Sequence, residues 1–266
     1  MQTIVNLYRE KFINKEKISV VTCYDASFAK IISETEMDTI LVGDSLGMVV
    51  QGHNSTLPVT LEEMIYHTKA VKRGAPNKFI ICDLPFLSYQ VSVEQGVSAG
   101  GIAIKETGCD AIKLEGASEI ALQTIRHLTE MGVPVMGHLG LTPQSYQVLG
   151  GYKVQGKDEK SAEKILTDAI ALEKAGVFSI VLEMLPESLG EKITNALTIP
   201  TIGIGAGRFT SGQVLVINDL LGVNADFKPK FLKRFADLNY VIKQALSSYD
   251  KEVKDKTFPG EENVFK

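Results

Sequence analysis

Cysteine is scarce, three residues in 266, and its placement removes two roles at once. Cys23, Cys82 and Cys109 are odd in number, widely separated and set in or beside apolar runs, with no Cys-x-x-Cys pair. Neither a disulfide framework nor a thiolate zinc site can be built from them, and they read as reduced core thiols. Long apolar runs are also missing. No stretch approaches membrane-spanning length, and residues 1–11 lack the apolar core and small-residue cleavage site of a secretory leader, so a cytoplasmic protein with no membrane partner is expected. Positive charge is in deficit: 28 Lys and Arg stand against 32 Asp and Glu, with no local basic cluster to serve as a footprint for nucleic acid. There is no Gly-x-Ser-x-Gly elbow and no Ser/His/Asp order, which removes the hydrolase triad. Of four histidines, His53, His67 and His127 fall on loop or helix and take no chemical role.

What the chain does have is a recurring pattern in which a short apolar run stops at a polar side chain. Thr39–Val42 leads to Asp44, Phe79–Cys82 to Asp83, Ala111–Leu114 to Glu115 and Ser179–Leu182 to Glu183. Val20–Cys23 leads in the same way to Tyr24 and Asp25, and Pro134–Gly137 to His138. Strands buried on both faces read as such runs, and their C-terminal tips are where α/β folds place ligand-handling groups.

Eight strands are predicted, at about 18–23, 39–43, 78–83, 110–115, 134–138, 178–183, 200–204 and 213–217, separated by helical segments. A short helix over 3–12 precedes them and is placed to close the barrel bottom. A periodic C-terminal stretch (Phe235, Leu238, Val241, Ile242, Leu246) forms a last helix. The length fits one large domain, residues 1–266, and the count of eight favours closure into a (β/α)8 TIM barrel over an open doubly wound sheet. Gly203-Ile-Gly-Ala-Gly207 lacks the later glycine and acidic partner of a dinucleotide site; its backbone N–H groups suit an anion or tight packing around a ligand. Two long Gly-containing loops, 45–59 and 137–156, leave the strand ends where binding residues collect.

Neighbouring parallel strands lie about 4.8 Å apart, so Asp44, Asp83 and Glu115 project into one small volume. Their mutual repulsion requires that some stay protonated or that a hard cation such as Mg²⁺ sit among them. Each taken alone also reads as a helix cap or loop acceptor. Lys113 shares a face with Glu115 and suits a substrate carboxylate, a Schiff base or an ion pair with an inner carboxylate. Glu183, on a strand across the mouth and flanked by Val181, Leu182 and Met184, is the candidate for proton transfer, a solvated strand-end Glu being the plain alternative. Ser45 offers a hydroxyl and an N–H to an anion. His138 reads equally as a donor or as hydrogen-bonded structure.

Several longer motifs go further: Leu41-Val-Gly-Asp-Ser-Leu-Gly-Met48, Gln51-Gly-His-Asn-Ser-Thr-Leu-Pro-Val-Thr60, Asp83-Leu-Pro-Phe86, Lys113-Leu-Glu-Gly116, Gly137-His-Leu-Gly-Leu-Thr-Pro-Gln144, Gly150-Gly-Tyr-Lys-Val-Gln-Gly156 and Ile202-Gly-Ile-Gly-Ala-Gly207. In this order, over most of the chain, the set resembles the ketopantoate hydroxymethyltransferase family. The resemblance implies a barrel of the phosphoenolpyruvate/pyruvate type, assembled as a homodecamer and acting in pantothenate synthesis. It implies transfer of a hydroxymethyl group from 5,10-methylenetetrahydrofolate to 3-methyl-2-oxobutanoate through a Mg²⁺-stabilised enolate. Carried onto matching positions, Asp44 and Asp83 are metal ligands supported by Glu115; Asp44, Ser45, Asp83 and Lys113 contact the keto acid; Glu183 is the proton acceptor. Two positions depart from the family pattern, Asn218 where it often has His, and Asp226-Phe227-Lys228 where a Gly-His usually precedes the Pro-Lys-Phe seen here as Pro229–Phe231. Both bear on folate-side or subunit contacts. Rival readings are a carbon-carbon lyase on the same barrel, a Lys113 Schiff-base aldolase and a non-catalytic metabolite-binding protein.

Overall fold

The computed structural model describes residues 2–265. They fall into two compact units divided between Val216 and Ile217. The first opens with helix α1 (Ile4–Ile13) and continues through β1 (Ile18–Thr22), α2 (Ala26–Ser33), β2 (Thr39–Val42), α3 (Leu46–Val49), α4 (Leu61–Gly74), β3 (Phe79–Asp83), α5 (Val93–Thr107), β4 (Ala111–Lys113), α6 (Glu119–Glu130), β5 (Val135–Gly140), α7 (Glu159–Ala175), β6 (Ser179–Glu183), α8 (Glu187–Ala196), β7 (Thr201–Ile204) and β8 (Gly212–Leu215). The eight strands pair in sequence order, all parallel, and β8 closes on β1. The chain is therefore a closed (β/α)8 barrel, with the open sheet set aside.

The strands are buried on both faces along almost their whole length, between the barrel interior and the outer helices. Val20, Leu41, Ile81, Ala111, Met136, Val181, Ile202 and Val214, one from each strand, belong to a single apolar cluster that fills the interior. Ile4 and Tyr8 of α1 join the same cluster, and the Tyr8 ring meets Phe178 edge-on with centroids 5.1 Å apart. The N-terminal helix thus plugs the lower end, as its apolar spacing predicts, and leaves the C-terminal ends of the strands as the open mouth.

The outer helices begin where the sequence supplies caps. Thr60 and Glu63 form a reciprocal capping box at α4, and Ser92, Ser118 and Asp158 cap α5, α6 and α7. Two glycines inside α5 have a packing reason. A Cβ at Gly96 would lie 2.7 Å from Thr124 Cγ2, and one at Gly100 2.7 Å from Ile112 Cδ1, so α5 can approach α6 and β4 only without side chains there.

In the second unit, α9 (Ile217–Leu220) is followed by an irregular segment and α10 (Leu238–Lys254). The predicted C-terminal helix is present, yet none of its residues is buried, and Tyr240, Val241, Ile242, Leu246, Tyr249 and Val253 are exposed. Among the described residues no helix is long and apolar enough to cross a membrane. Cys23, Cys82 and Cys109 are free and buried.

Candidate active site

Strand register carries the acidic tips to one place. Asp83 and Lys113 are paired across β3 and β4, and Glu115 follows two residues later on the same face as Lys113. The Lys113 ammonium donates to Asp83 Oδ1 at 2.6 Å, lies 2.6 Å from Oδ2, and is 3.9 Å from Glu115 Oε1. Of the roles open to Lys113, the ion pair with an inner carboxylate is the one formed here. Asp44, just past β2, is buried with them, and its carboxyl is pushed well above the usual range by burial and by the charges of Asp83 and Glu115. Burial also raises Asp83, against the pull of Lys113. The lysine is raised despite burial, because Asp83, Glu115 and Asp44 together outweigh the desolvation. Ser45 hydrogen-bonds Tyr24, Oγ to Oη at 2.9 Å.

His138, left open by the sequence, lies between two of the acids. Its Nδ1 is 3.1 Å from Glu115 Oε1 and its Nε2 is 3.2 Å from Glu183 Oε2; the second contact is an ion pair at an angle too poor for a hydrogen bond. Burial alone would depress this imidazole, but Glu115 and Glu183 outweigh burial and raise it to about 9. Glu115 is lowered in turn, burial being overcome by His138 and Lys113. A raised histidine stabilises the fold fully below its unfolded pKa of about 6.5 and ceases to do so as pH rises through about 9. Wild-type protein is therefore expected to lose stability between those values by roughly 2–3 kcal/mol relative to His138→Gln. Urea unfolding of both proteins at pH 6 and pH 10 checks this, and a constant difference between them would contradict it.

Glu183 ends β6 across the mouth and is pinned by its backbone. Its carbonyl accepts from Leu141 N at 2.9 Å, and the next residue, Met184, adopts the left-handed region at φ 51°. Such a conformation costs a side-chain-bearing residue of order 1 kcal/mol and persists only where neighbours hold it. Here Met184 N donates to Ile204 O at 2.9 Å and Met184 O accepts from Gln155 N at 2.8 Å. Gly140 completes the support: at φ 96°, a Cβ there would stand 2.2 Å from Glu183 O, so this strand pair closes only around glycine.

Two features were not legible in the residue pattern. Gln144, in the single 3₁₀ turn Pro143–Ser145 of the long loop after β5, reaches into the acidic cluster and donates to Asp44 Oδ2 from its side chain and to Glu115 Oε2 from its backbone. As an uncharged amide in a loop it carried no chemical signal of its own. Farther along the same loop, Tyr146 and Tyr152 stack at 5.5 Å, and Tyr152 Oη contacts Met48 Sδ of α3 at 3.5 Å. The glycines of 203–207 serve packing: a Cβ on Gly207 would meet Glu187 Cγ at 2.5 Å, and one on Gly190 of α8 would meet Ala206 O at 2.3 Å. They let α8 rest against the loop after β7.

For a metal, the donors are all carboxylate oxygen, the chemistry a hard divalent ion prefers. Among the described residues no three His, Cys, Asp or Glu side chains stand ready as a ligand group. Lys113 occupies Asp83, and Gln144 occupies one oxygen of Asp44. The charge nevertheless favours a cation. Four carboxyl groups, Asp44, Asp83, Glu115 and Glu183, face one ammonium and one imidazole, and the crowding that raises Asp44 is what a bound cation would relieve.

Comparison with known proteins agrees with this architecture. Solved structures with the same fold include a 2,3-dimethylmalate lyase described as a member of the PEP mutase/isocitrate lyase superfamily (14% identity, TM-score 0.62, 100% of this chain and 93% of that one). Another is a phosphonopyruvate hydrolase with oxalate and Mg²⁺ (8% identity, TM-score 0.65, 100% and 92%). At the sequence level the relatives are much nearer. The chain is 59% identical over 265 residues to a 3-methyl-2-oxobutanoate hydroxymethyltransferase of Leptospira interrogans, covering 100% of both chains. It is 52% identical over 266 residues to the enzyme of that name from Clostridium beijerinckii, covering 100% of this chain and 96% of that one. The model of the ketopantoate hydroxymethyltransferase family matches residues 2–261, and the chain belongs to that family.

Proposed function

We propose that this chain forms ketopantoate by transferring a hydroxymethyl group from 5,10-methylenetetrahydrofolate to 3-methyl-2-oxobutanoate. The observation that carries the reading is the division of the mouth into two poles: the Asp44–Asp83–Lys113–Glu115 cluster on one side and Glu183, tied to it only through His138, on the other. A 2-oxo acid has two needs that match. Its carboxylate and keto oxygens require positive charge, and the proton on C3 requires a base that is not itself neutralised by that charge.

The acid binds with its oxygens toward Lys113 and Ser45, beside the carboxyl groups of Asp44 and Asp83. Asp44 and Asp83, with Glu115 in support, are the residues to hold a divalent cation such as Mg²⁺, which when bound supplies positive charge to the keto and carboxylate oxygens. Glu183 takes the proton from C3, and His138 keeps its carboxylate turned into the mouth. The resulting carbanion equivalent attacks the methylene carbon of the folate as one of its two C–N bonds opens; water then displaces the second nitrogen, leaving its hydroxyl on the new carbon, and tetrahydrofolate departs carrying the proton from Glu183 and the one from water. Ser45, held by Tyr24, fixes the substrate carboxylate during the transfer.

The homodecamer implied by the family resemblance belongs to the same reading, supported by the exposed apolar side chains along α10, a surface of the kind subunits cover. A cytoplasmic setting is supported by three buried, free cysteines.

Incubating the purified protein with keto acid, Mg²⁺ and methylenetetrahydrofolate should give ketopantoate, and carbon-carbon bond chemistry that proceeds equally without folate would favour a lyase instead. Asp44→Ala is expected to abolish the divalent-ion-dependent part of keto-acid binding, read by calorimetric titration with and without Mg²⁺. Unchanged affinity in both conditions would remove Asp44 from the cation site.

A further inference from the structure

Three successive strand ends meet at one residue that belongs to none of them, two at its side chain and one at its backbone N–H. Gln144 is 6% exposed, and every polar atom of its side chain is used. Nε2 donates to Asp44 Oδ2 beyond β2 at 2.9 Å and to the carbonyl of Leu84 beyond β3 at 3.0 Å. Oε1 accepts from Tyr89 Oη and from Gln90 Nε2, both at 2.8 Å. The backbone N–H of the same residue donates to Glu115 Oε2 beyond β4 at 3.1 Å, and Glu115 N in turn donates to Tyr89 Oη at 2.9 Å.

A buried amide with both hydrogens given and both lone pairs filled has one orientation open to it, because flipping it would set donor against donor at Tyr89 and Gln90 and acceptor against acceptor at Asp44. Its partners are thereby fixed as well. Glu115 has Oε1 on His138 and Oε2 on Gln144 N, so both of its oxygens are committed. Asp44 has one oxygen on Gln144, with the charges of Asp83, Glu115 and Lys113 close by, and the directional bond from this amide sets the carboxyl plane.

We propose that Gln144 is a positioning residue for the cation site: its side-chain amide orients Asp44 while its backbone N–H holds Glu115, and the same bonds fasten the loop after β5 over the mouth, the Asp44 bond being the one a side-chain substitution removes. The inference rests on the cation site proposed above and adds to it that the site is assembled only when this loop is down. Residues behind metal ligands set ligand geometry, and their loss typically weakens metal affinity roughly 10- to 100-fold.

The test uses the full-length chain and Gln144→Met, which keeps the volume and removes the amide. Mn²⁺ affinity is measured by calorimetry without folate, and amide hydrogen exchange is followed over residues 141–157. We expect Mn²⁺ affinity to fall roughly 10- to 100-fold and loop exchange to quicken while barrel amides keep their protection. A purely structural role would instead lower thermal stability and leave Mn²⁺ affinity unchanged, and that result overturns the assignment. Wild-type protein that takes up no Mn²⁺ would overturn the cation site itself and this inference with it. Should Gln144→Met fail to fold, Tyr89→Phe, which removes the hydroxyl that fixes the amide, decides in its place: weakened Mn²⁺ binding supports the proposal and unchanged binding contradicts it.

Discussion

Lys113→Met is expected to destabilise the folded protein by roughly 3–5 kcal/mol, the cost of leaving buried charge without its partner. The ammonium touches both oxygens of Asp83 and lies near Glu115, all of them buried, and among the described residues no other cation is paired with Asp83. Removing it raises the already elevated folded pKa of Asp83 further, because burial then acts without the pull of the ammonium. A carboxyl shifted in that direction costs stability once pH exceeds its unfolded pKa, so the variant should recover most in acid, where Asp83 takes up a proton. A divalent ion should recover part of the loss at neutral pH by supplying the missing charge. Urea titrations at pH 5 and pH 8, with and without Mg²⁺, check both statements; a variant as stable as wild type at pH 8 without metal would mean the Lys113–Asp83 pair is not buried as described.

Glu183→Gln is expected to lower kcat roughly 10²- to 10⁴-fold, the span seen when a positioned base is lost. The change is nearly isosteric, the backbone bonds at Leu141 and through Met184 do not depend on the side chain, and His138 can still meet an amide oxygen. KM for the keto acid should therefore move little, which separates a residue used in the transition state from one used in ground-state binding. A kcat within about ten-fold of wild type would return Glu183 to the status of an ordinary strand-end carboxylate.

The barrel was legible because its strands are buried on both faces and announce themselves as apolar runs, each stopped by the polar residue that reaches the mouth. Asp83, Glu115 and Glu183 were found by that rule alone, and Asp44 by the same rule one turn past its strand. Lys113 could be placed on the right face by counting, but only the register of β3 against β4 shows which carboxylate it meets. The glycines at 203–207 read as facing an anion or a ligand, and the pattern gave no sign that Gly207 also makes room for Glu187 of α8. Helix α3, hidden in the 45–59 loop, is four residues long and too short to show a period. The periodicity of the C-terminal helix was read correctly, while its exposure was not, since spacing marks an apolar face and says nothing of what lies against it. Gln144 was missed because its importance lies wholly in its partners, which come from three other segments.

The central claim, that Glu183 draws a proton from C3 of a keto acid held by the acidic cluster, is tested most directly without the folate at all. In deuterated buffer with Mg²⁺, the loss of the C3–H signal of 3-methyl-2-oxobutanoate is followed by proton NMR. Wild-type protein should wash the proton out, and Glu183→Gln should bind the acid and leave it in place. Washout by the variant at the wild-type rate would contradict the account and move the base to another residue.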